Sequence, residues 1–450
     1  MEVLILLYKG SHYNYIIGNN SACLVMNMKT GKQLKIADTC VEDVQIALDT
    51  NPHEIDETMY DCFIKSGMLV PEDVDEARLL ELQYNDMVYG TDVLYVMIAP
   101  TNDCNFRCTY CFEYKQPEYM SINVEENVLK FLDSKIPYCK QLRLSWFGGE
   151  PLLCKEQIIR MSEHINKTCK SHHVPIYGEI STNGYELDYE TFKALLRNHI
   201  TDYQICVDGP QRFHNITRPH CFNNDSYERI MSNLIKIKNE VTYGHFKIMI
   251  RTNVTPQVSD FMEEHITQMN TYFGDDNRFV LIYQCVRDWG GDEISNGQIV
   301  SDESAEYSKL YGLSTDVGIN SASSLSFAPI VGNCQANRKN GFLIDHLGNL
   351  RKCSLAQHNS EHCEIDKIGY IAKGGKAVID DYKLSKWLVR NFVISDSCKT
   401  CVLYPFCMGG HCPYSNNILN QRNCNKYILT FLKEHLLQLD KQGRIKTIHL

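Results

Sequence analysis

Between residue 90 and about 320 the chain alternates strand-like and helix-like runs six times, and this alternation restricts its fold more than any other feature. The strand-like runs are Val93–Ala99, Leu142–Phe147, Tyr177–Ser181, Asp202–Val207, Phe246–Asn253 and Phe279–Val286. They are rich in β-branched, aromatic and aliphatic residues. Helical periodicity fills the gaps. Val124, Val128, Leu129, Phe131 and Leu132 share one face behind a capping pair, Asn123 and Glu126. Further helices are expected over Gln157–Ile165, Tyr189–Leu196, Asp225–Ile237 and Asp260–Met269. Six βα repeats predict an α/β fold around a parallel sheet, wound open or curled into a partial barrel. Ligand sites in such folds lie at the carboxyl ends of the strands.

Those ends carry polar chemistry in five successive strands. The first leads into Cys104-Asn105-Phe106-Arg107-Cys108-Thr109-Tyr110-Cys111, with three and then two residues between the cysteines. The second ends in Phe147-Gly148-Gly149-Glu150-Pro151; paired glycines admit close backbone approach to a ligand, and the carboxylate suits an ammonium group. The third ends in Ser181-Thr182-Asn183-Gly184, hydroxyl and amide groups suited to a ribose, and the fourth in Val207-Asp208-Gly209-Pro210. The fifth carries Arg251 and Asn253, a fork and an amide suited to a carboxylate. Taken alone, the three cysteines allow zinc, a disulfide or an iron–sulfur cluster. Structural zinc takes four ligands, and no fourth cysteine or histidine is near. A 4Fe–4S cluster on three thiolates leaves one iron open.

Composition narrows the setting. A chain of 450 residues with 44% hydrophobic and 22% charged content suits two to four globular domains. Its net charge of -10 and lack of a basic block argue against nucleic acid. The start, Met1-Glu2-Val3-Leu4-Ile5, is not that of a signal peptide, and no apolar run approaches the roughly 20 residues that span a bilayer. A cytoplasmic protein without a membrane partner is expected. The 20 cysteines are then better read as metal ligands where clustered and as buried small hydrophobes where single, as at Cys23, Cys40, Cys62, Cys139, Cys154, Cys169 and Cys206.

Two segments flank the repeats. Residues 1–88 show short β-like runs at Val3–Tyr8, Tyr13–Gly18 and Ala22–Met28 and helical stretches at Val41–Leu48 and Glu57–Ser66. This predicts a small winged-helix-like module, joined to the repeats by a charged helix from Glu72 to Leu82. Residues 89–325 form the repeat domain. Residues 326–450 carry short elements, eight cysteines, of which Cys334, Cys353, Cys398, Cys401, Cys407, Cys412 and Cys424 form the pattern used below, and a closing helix over Tyr427–Leu439.

The C-x3-C-x-aromatic-C pattern of Cys104, Cys108, Tyr110 and Cys111, followed by Gly148-Gly149-Glu150, resembles the radical S-adenosylmethionine enzymes. The resemblance implies a partial (β/α)6 TIM-like barrel in which the three cysteines hold a 4Fe–4S cluster. By it, the methionine part of S-adenosylmethionine chelates the open iron. Gly149 and Glu150 take its amino group, Ser181 and Asn183 meet the ribose, Arg251 meets the carboxylate, and the Tyr110 backbone borders the adenine. The tail resembles the SPASM extension of radical enzymes that modify peptides and proteins. In that family's order Cys334, Cys353 and Cys412 hold one auxiliary 4Fe–4S cluster, and Cys398, Cys401, Cys407 and Cys424 hold another. The last gap, Met408-Gly409-Gly410-His411, is one residue longer than is usual in the family. With seven assigned ligands the first auxiliary cluster keeps an open iron; Cys363 could fill that place but reads better as a surface or core cysteine. The tail read on its own also allows two zinc knuckles.

The first module resembles the leader-recognition element of peptide maturases, which takes a leader peptide as an added β-strand on an exposed edge. Together the parts resemble a thioether-forming maturase of ribosomally made peptides, of the sactipeptide or ranthipeptide type. The partners implied are a precursor peptide with a leader and a reductant such as flavodoxin or ferredoxin. The same parts would serve carbon–carbon crosslinking. An anaerobic sulfatase-maturating enzyme, which makes formylglycine, is the rival within the class. It carries an aspartate after the cysteine matching Cys353, where this chain has Ser354. A peptide-binding or electron-carrier protein with degenerate clusters is the rival outside catalysis.

Overall fold

The computed structural model describes residues 7–18, 22–49, 57–288, 296–321, 334–357, 364–410, 412–421, 424 and 428–449. Contacts group the chain into two compact units. One takes in the described parts of Met1–Val88 and Arg390–Leu450, the other Tyr89–Ser324 and Cys334–Val389. The cysteine-rich tail therefore contributes to both.

The larger unit is built on one ten-stranded sheet. Its six parallel strands are β1 (Val93–Ile98), β2 (Gln141–Trp146), β3 (Ile176–Thr182), β4 (Ile200–Cys206), β5 (Lys247–Val254) and β6 (Phe279–Cys285). They lie side by side in chain order. Parallel neighbours need crossovers, supplied by α1 (Ile122–Lys135), α2 (Lys155–Ser171), α3 (Tyr189–Arg197), α4 (Gln211–Thr217), α5 (Ser226–Glu240) and α6 (Met262–Phe273), with α7 (Glu303–Val317) after β6. Register sets buried rows across the sheet: Ile98 pairs with Trp146, and Trp146 with Ile180, all at most 1% exposed. All six expected strands are present, with ends moved by one or two residues. One cap differs. Ser121, in extended conformation, accepts from the Val124 amide and starts α1, so Asn123 lies inside the first turn rather than capping it.

The sheet continues on the far side of β1. There β7 (Gly341–Ile344) runs parallel to β1, and β8 (Asn349–Arg351), β9 (Lys367–Ile371) and β10 (Ala377–Ile379) follow antiparallel. A buried ion cluster fixes this extension. Arg351 reaches Asp345 at 2.7 Å and Asp366 at 2.8 Å, all three nearly inaccessible to solvent. Buried charges persist only when paired in this way.

In the smaller unit a four-stranded sheet has the order Lys446–His449, Gln33–Ala37, Ala22–Asn27, Asn14–Gly18. Helices Val41–Asp49 and Glu57–Ser66 close over it, burying Val25, Ile36, Val44, Leu48 and Phe63 together. Gln33–Ala37 was not expected as a strand, although its buried positions alternate as a half-buried strand requires. The first expected strand, Val3–Tyr8, lies mostly outside the described residues; the strand there is Tyr8–Gly10, paired with Leu69–Pro71. The helix expected from Glu72 spans Glu76–Tyr89 instead. Glu76 is buried because it accepts from the Ser11 hydroxyl at 2.8 Å and the His12 amide at 3.1 Å. The last helix is Ile428–Lys441; Tyr427 lies outside the described residues.

Candidate functional site

A cavity of about 180 Å³ opens at the carboxyl ends of β1 to β6. Cys104, Cys108, Tyr110, Cys111, Gly149, Glu150, Ser181, Asn183 and Arg251 all line it. Nine residues chosen from four separated stretches of sequence thus meet around one space.

The cysteine loop is held from three sides. Along one side it runs beside residues 217–221: the Arg107 amide donates to Pro219, Thr109 to Thr217, and Cys221 back to Asn105, at 2.8–3.0 Å. From β3, the Asn183 side-chain amide donates to Asn105 Oδ1 at 2.7 Å. From β2 come the two glycines. A Cβ on Gly148, whose φ is +121°, would sit 2.4 Å from the Thr101 carbonyl oxygen; one on Gly149 would sit 2.3 Å from that of Asp103. Their need for glycine arises from the loop leading into Cys104, so they position the cysteines by backbone approach. The Gly149 and Glu150 amides then donate to Thr101 and Asp103 at 3.2 and 2.8 Å.

Glu150 is 1% exposed and accepts three hydrogen bonds, from the Leu152 amide (2.9 Å), the Thr182 hydroxyl (2.6 Å) and the Asn183 amide (2.7 Å). Burial nonetheless raises its pKa to about 7, the hydrogen bonds opposing. A carboxylate in this state is poised for a cation. The other predicted polar groups are partly engaged already. Ser181 Oγ accepts from Gln204 at 3.0 Å, which leaves its own proton free to donate. Arg251 Nε donates to Asn253 at 3.0 Å. Both ends of the Asn183 side chain are used, by Asn105 and by the Tyr185 amide at 2.9 Å.

Sequence reasoning singled out Tyr110, Asp208 and Asn253 separately but missed Arg218 and the buried network that joins the four beside the loop. The Tyr110 hydroxyl donates to Asp208 and accepts from Arg218 at 2.8 Å and Asn253 at 3.1 Å. Asp208 also accepts from the Asn253 amide at 2.8 Å. Arg218 lines the cavity, is 6% exposed, and its Nε has no partner. This buried guanidinium lies 3.9 Å from the Asp208 carboxylate and adds positive charge beside the cavity. Its sequence signal was His214 and Arg218, four apart, following Asp208-Gly209-Pro210.

The thiols fit a multi-iron cluster. Burial pushes Cys108 up to about 12 and raises Cys104 and Cys111 as well. Thiols of this kind stay protonated until a metal displaces the proton. Among the described residues no three His, Cys, Asp or Glu side chains converge on a point suitable for one metal ion. Three thiols around a cavity instead suit a cluster that offers each a different iron.

In the tail, Cys398, Cys401 and Cys407 are neighbours: burial pushes Cys407 up to about 11, with repulsion from Cys401 and Cys398 added. Cys401 donates its amide to Cys398 at 3.1 Å. Met408, Gly409 and Gly410 all take positive φ after Cys407, which turns the chain toward the half-buried Cys412. Cys334 and Cys424 are exposed, and Cys353 is buried directly after β8. Cys334 and Cys353 belong to the larger unit, Cys412 and Cys424 to the smaller. Cys363 and His411 lie outside the described residues.

Residues 98–265 match the family described as the Radical SAM superfamily. Among curated proteins, the chain is 24% identical over 342 residues to a cysteine-type anaerobic sulfatase-maturating enzyme of Clostridium novyi, covering 70% of this chain and 87% of that one. It is 21% identical to the radical SAM cyclopropyl synthase TigE of Paramaledivibacter caminithermalis, over 72% of this chain and 69% of the relative. Among solved structures, native anSMEcpe with bound AdoMet and Cp18Cys peptide superposes with a TM-score of 0.55 at 19% identity. That match covers 78% of this chain and 97% of the other, and it shows a shared fold. The chain carries a radical SAM domain over residues 98–265, the segment that supplies the three loop cysteines, Glu150, Ser181, Asn183 and Arg251.

Proposed function

We propose that this chain is a radical S-adenosylmethionine peptide maturase that forms cysteine thioether crosslinks in a ribosomally made precursor. The observation that carries the reading is the meeting of Cys104, Cys108, Cys111, Glu150, Ser181 and Arg251 around one cavity. A 4Fe–4S cluster and S-adenosylmethionine held there would supply the radical chemistry that takes hydrogen from a substrate carbon. The chain's own residues bind and orient. Cys104, Cys108 and Cys111 give up their protons to hold the cluster. Glu150 is proposed to pair with the amino group and Arg251 with the carboxylate. Ser181 keeps a proton to donate to the ribose, and Asn183 holds the cysteine loop beside it.

The tail supports a peptide substrate. Cys398, Cys401, Cys407 and Cys424 are proposed ligands of one auxiliary 4Fe–4S cluster; Cys334, Cys353 and Cys412 are proposed ligands of another. These clusters would accept the electron released when the substrate sulfur joins the carbon radical. The first 88 residues are proposed to recognise the leader, and a reductant such as flavodoxin or ferredoxin to supply electrons.

A second reading, sulfatase maturation to formylglycine, is favoured by the likeness to the Clostridium novyi enzyme over 87% of that protein's length. Ser354 opens a short helix, Ser354–Gln357, directly after Cys353 and supplies no carboxylate there. Mass spectrometry of a cysteine-rich peptide encoded beside the gene, co-expressed with the chain, separates the two. A thioether product retains its sulfur and loses two hydrogens per crosslink. Formylglycine has lost the sulfur, and finding it would replace the first reading with the second.

A further inference from the structure

If the first 88 residues recognise a peptide by adding it to a sheet edge, the structure decides which edge can take it. The sheet of the smaller unit has two. Asn14–Gly18 pairs with no further strand among the described residues. The opposite edge, Gln33–Ala37, is already covered by a strand from the other end of the chain, Lys446–His449. The pairing is parallel, Leu34 opposite Lys446 and Ala37 opposite His449.

That covered edge is the one with a built seat. Helix Glu57–Ser66 borders it: Lys446 Nζ lies 3.8 Å from Cys62 Sγ. Ile448 packs against the cluster of Val25, Ile36, Val44 and Phe63. A backbone ladder plus one apolar socket is the chemistry by which an extended peptide is recognised on a sheet edge. The resident strand holds it lightly. It is four residues long, and three of the four are exposed. Its one side-chain ion pair among the described residues, His449 with Asp38 at 3.5 Å, is 74% and 84% exposed and contributes little. Behind it, Gly443 at φ +64° ends helix Ile428–Lys441 in a hydrogen-bonded turn and redirects the chain into the strand.

We propose that the Gln33–Ala37 edge is a strand-docking surface held by Lys446–His449, and that an extended peptide bearing an apolar residue for the Ile448 socket binds there by displacing it. The proposal rests on the leader-recognition reading for the identity of that peptide. The tail acts as a tethered competitor, so apparent affinity for an outside peptide falls by the ratio of covered to open edge.

The test compares the full chain with one ending after Ile445, using a fluorescein-labelled peptide of residues 444–450 as probe. The shortened chain is expected to bind the probe about tenfold tighter or better. A short cysteine-rich precursor, where one is found encoded beside the gene, is expected to displace the probe when added unlabelled. A full-length chain carrying I448S, which loses the apolar anchor alone, is expected to bind the probe more tightly than the natural chain and to exchange the amides of Gln33–Ala37 faster. Equal probe affinity for the natural and shortened chains overturns the proposal. If the shortened chain does not fold, unchanged amide exchange and probe affinity in I448S overturn it. A probe that discriminates between the chains while the precursor binds neither supports the docking edge and removes the leader reading.

Discussion

The Tyr110 hydroxyl donates to the Asp208 carboxylate, tying the cysteine loop after β1 to the end of β4. On a flat sheet those ends would stand three strand spacings apart, roughly 14 Å. The link is made because the loop crosses the strand ends and packs beside residues 217–221, with Arg218 and Asn253 completing the network. The cysteine loop and the far strands are therefore one mechanical unit. Tyr110→Phe would leave Asp208, which is 0% exposed, without its hydroxyl donor. The expected cost is about 1–3 kcal/mol of stability with secondary structure intact, read by urea unfolding of the metal-free protein. A change under about 0.5 kcal/mol would place the tyrosine outside the network's energetics.

Glu150 predicts a pH dependence. Burial raises its pKa from 4.5 to about 7. Because the folded value lies above the unfolded one, this group's contribution to stability is full below pH 4.5 and is lost as pH rises through about 7. Cofactor binding runs the other way, since Glu150 must be ionised to accept fully from the N–H groups of the proposed cofactor's amino group. Affinity for S-adenosylmethionine should fall about tenfold per unit as pH drops below about 7. Glu150→Gln should bind more weakly and flatten that dependence, as measured by equilibrium dialysis between pH 6 and 8.5. An unchanged slope in the variant would assign the dependence to another group.

Gly149→Ala tests the positioning of the cysteines by backbone approach. Its Cβ would meet the Asp103 carbonyl oxygen at 2.3 Å, and backbone cannot yield as a flexible side chain can. Overpacking of this kind costs about 1–3 kcal/mol. The larger effect should be on iron bound at the loop, because Asp103 precedes Cys104. Iron analysis after anaerobic reconstitution should approach about 12 atoms per natural chain if three 4Fe–4S clusters form, and about eight in the variant. About four in the natural chain would remove both auxiliary clusters.

Arg351 should matter for stability rather than for cofactor cleavage. Replacing it with methionine leaves Asp345 and Asp366, both at most 1% exposed, without their cation. Breaking a buried pair by one partner typically costs about 3–5 kcal/mol, which thermal or chemical unfolding would show directly.

Much of this architecture was legible because the repeats declare themselves locally. Val93–Ile98 is an apolar run and Gln141–Trp146 alternates buried and more exposed positions, Glu150 stands four residues beyond that second strand, and Asn183 follows Ile176–Thr182 directly. Asn123 misled because it matches a capping pair, whereas Ser121 two residues earlier has the extended backbone that a cap needs. What escaped depends on distant partners. Lys446–His449 is mostly exposed and becomes a strand only because Gln33–Ala37 waits some 410 residues earlier, a pairing without local signature. Arg218 reads as an ordinary surface charge until the cysteine loop folds over it. Gly148 and Gly149 pointed to the correct site, but their tight contacts are with residues 101–103, a backbone approach that no residue pattern records.

The most direct measurement is 5′-deoxyadenosine formation. The reconstituted chain is incubated anaerobically with dithionite and S-adenosylmethionine, beside a variant with Cys104, Cys108 and Cys111 changed to alanine. The natural chain should release 5′-deoxyadenosine and methionine in equal amounts, and the variant should release neither while keeping its auxiliary iron. A natural chain with its clusters verified that yields no 5′-deoxyadenosine would contradict the account.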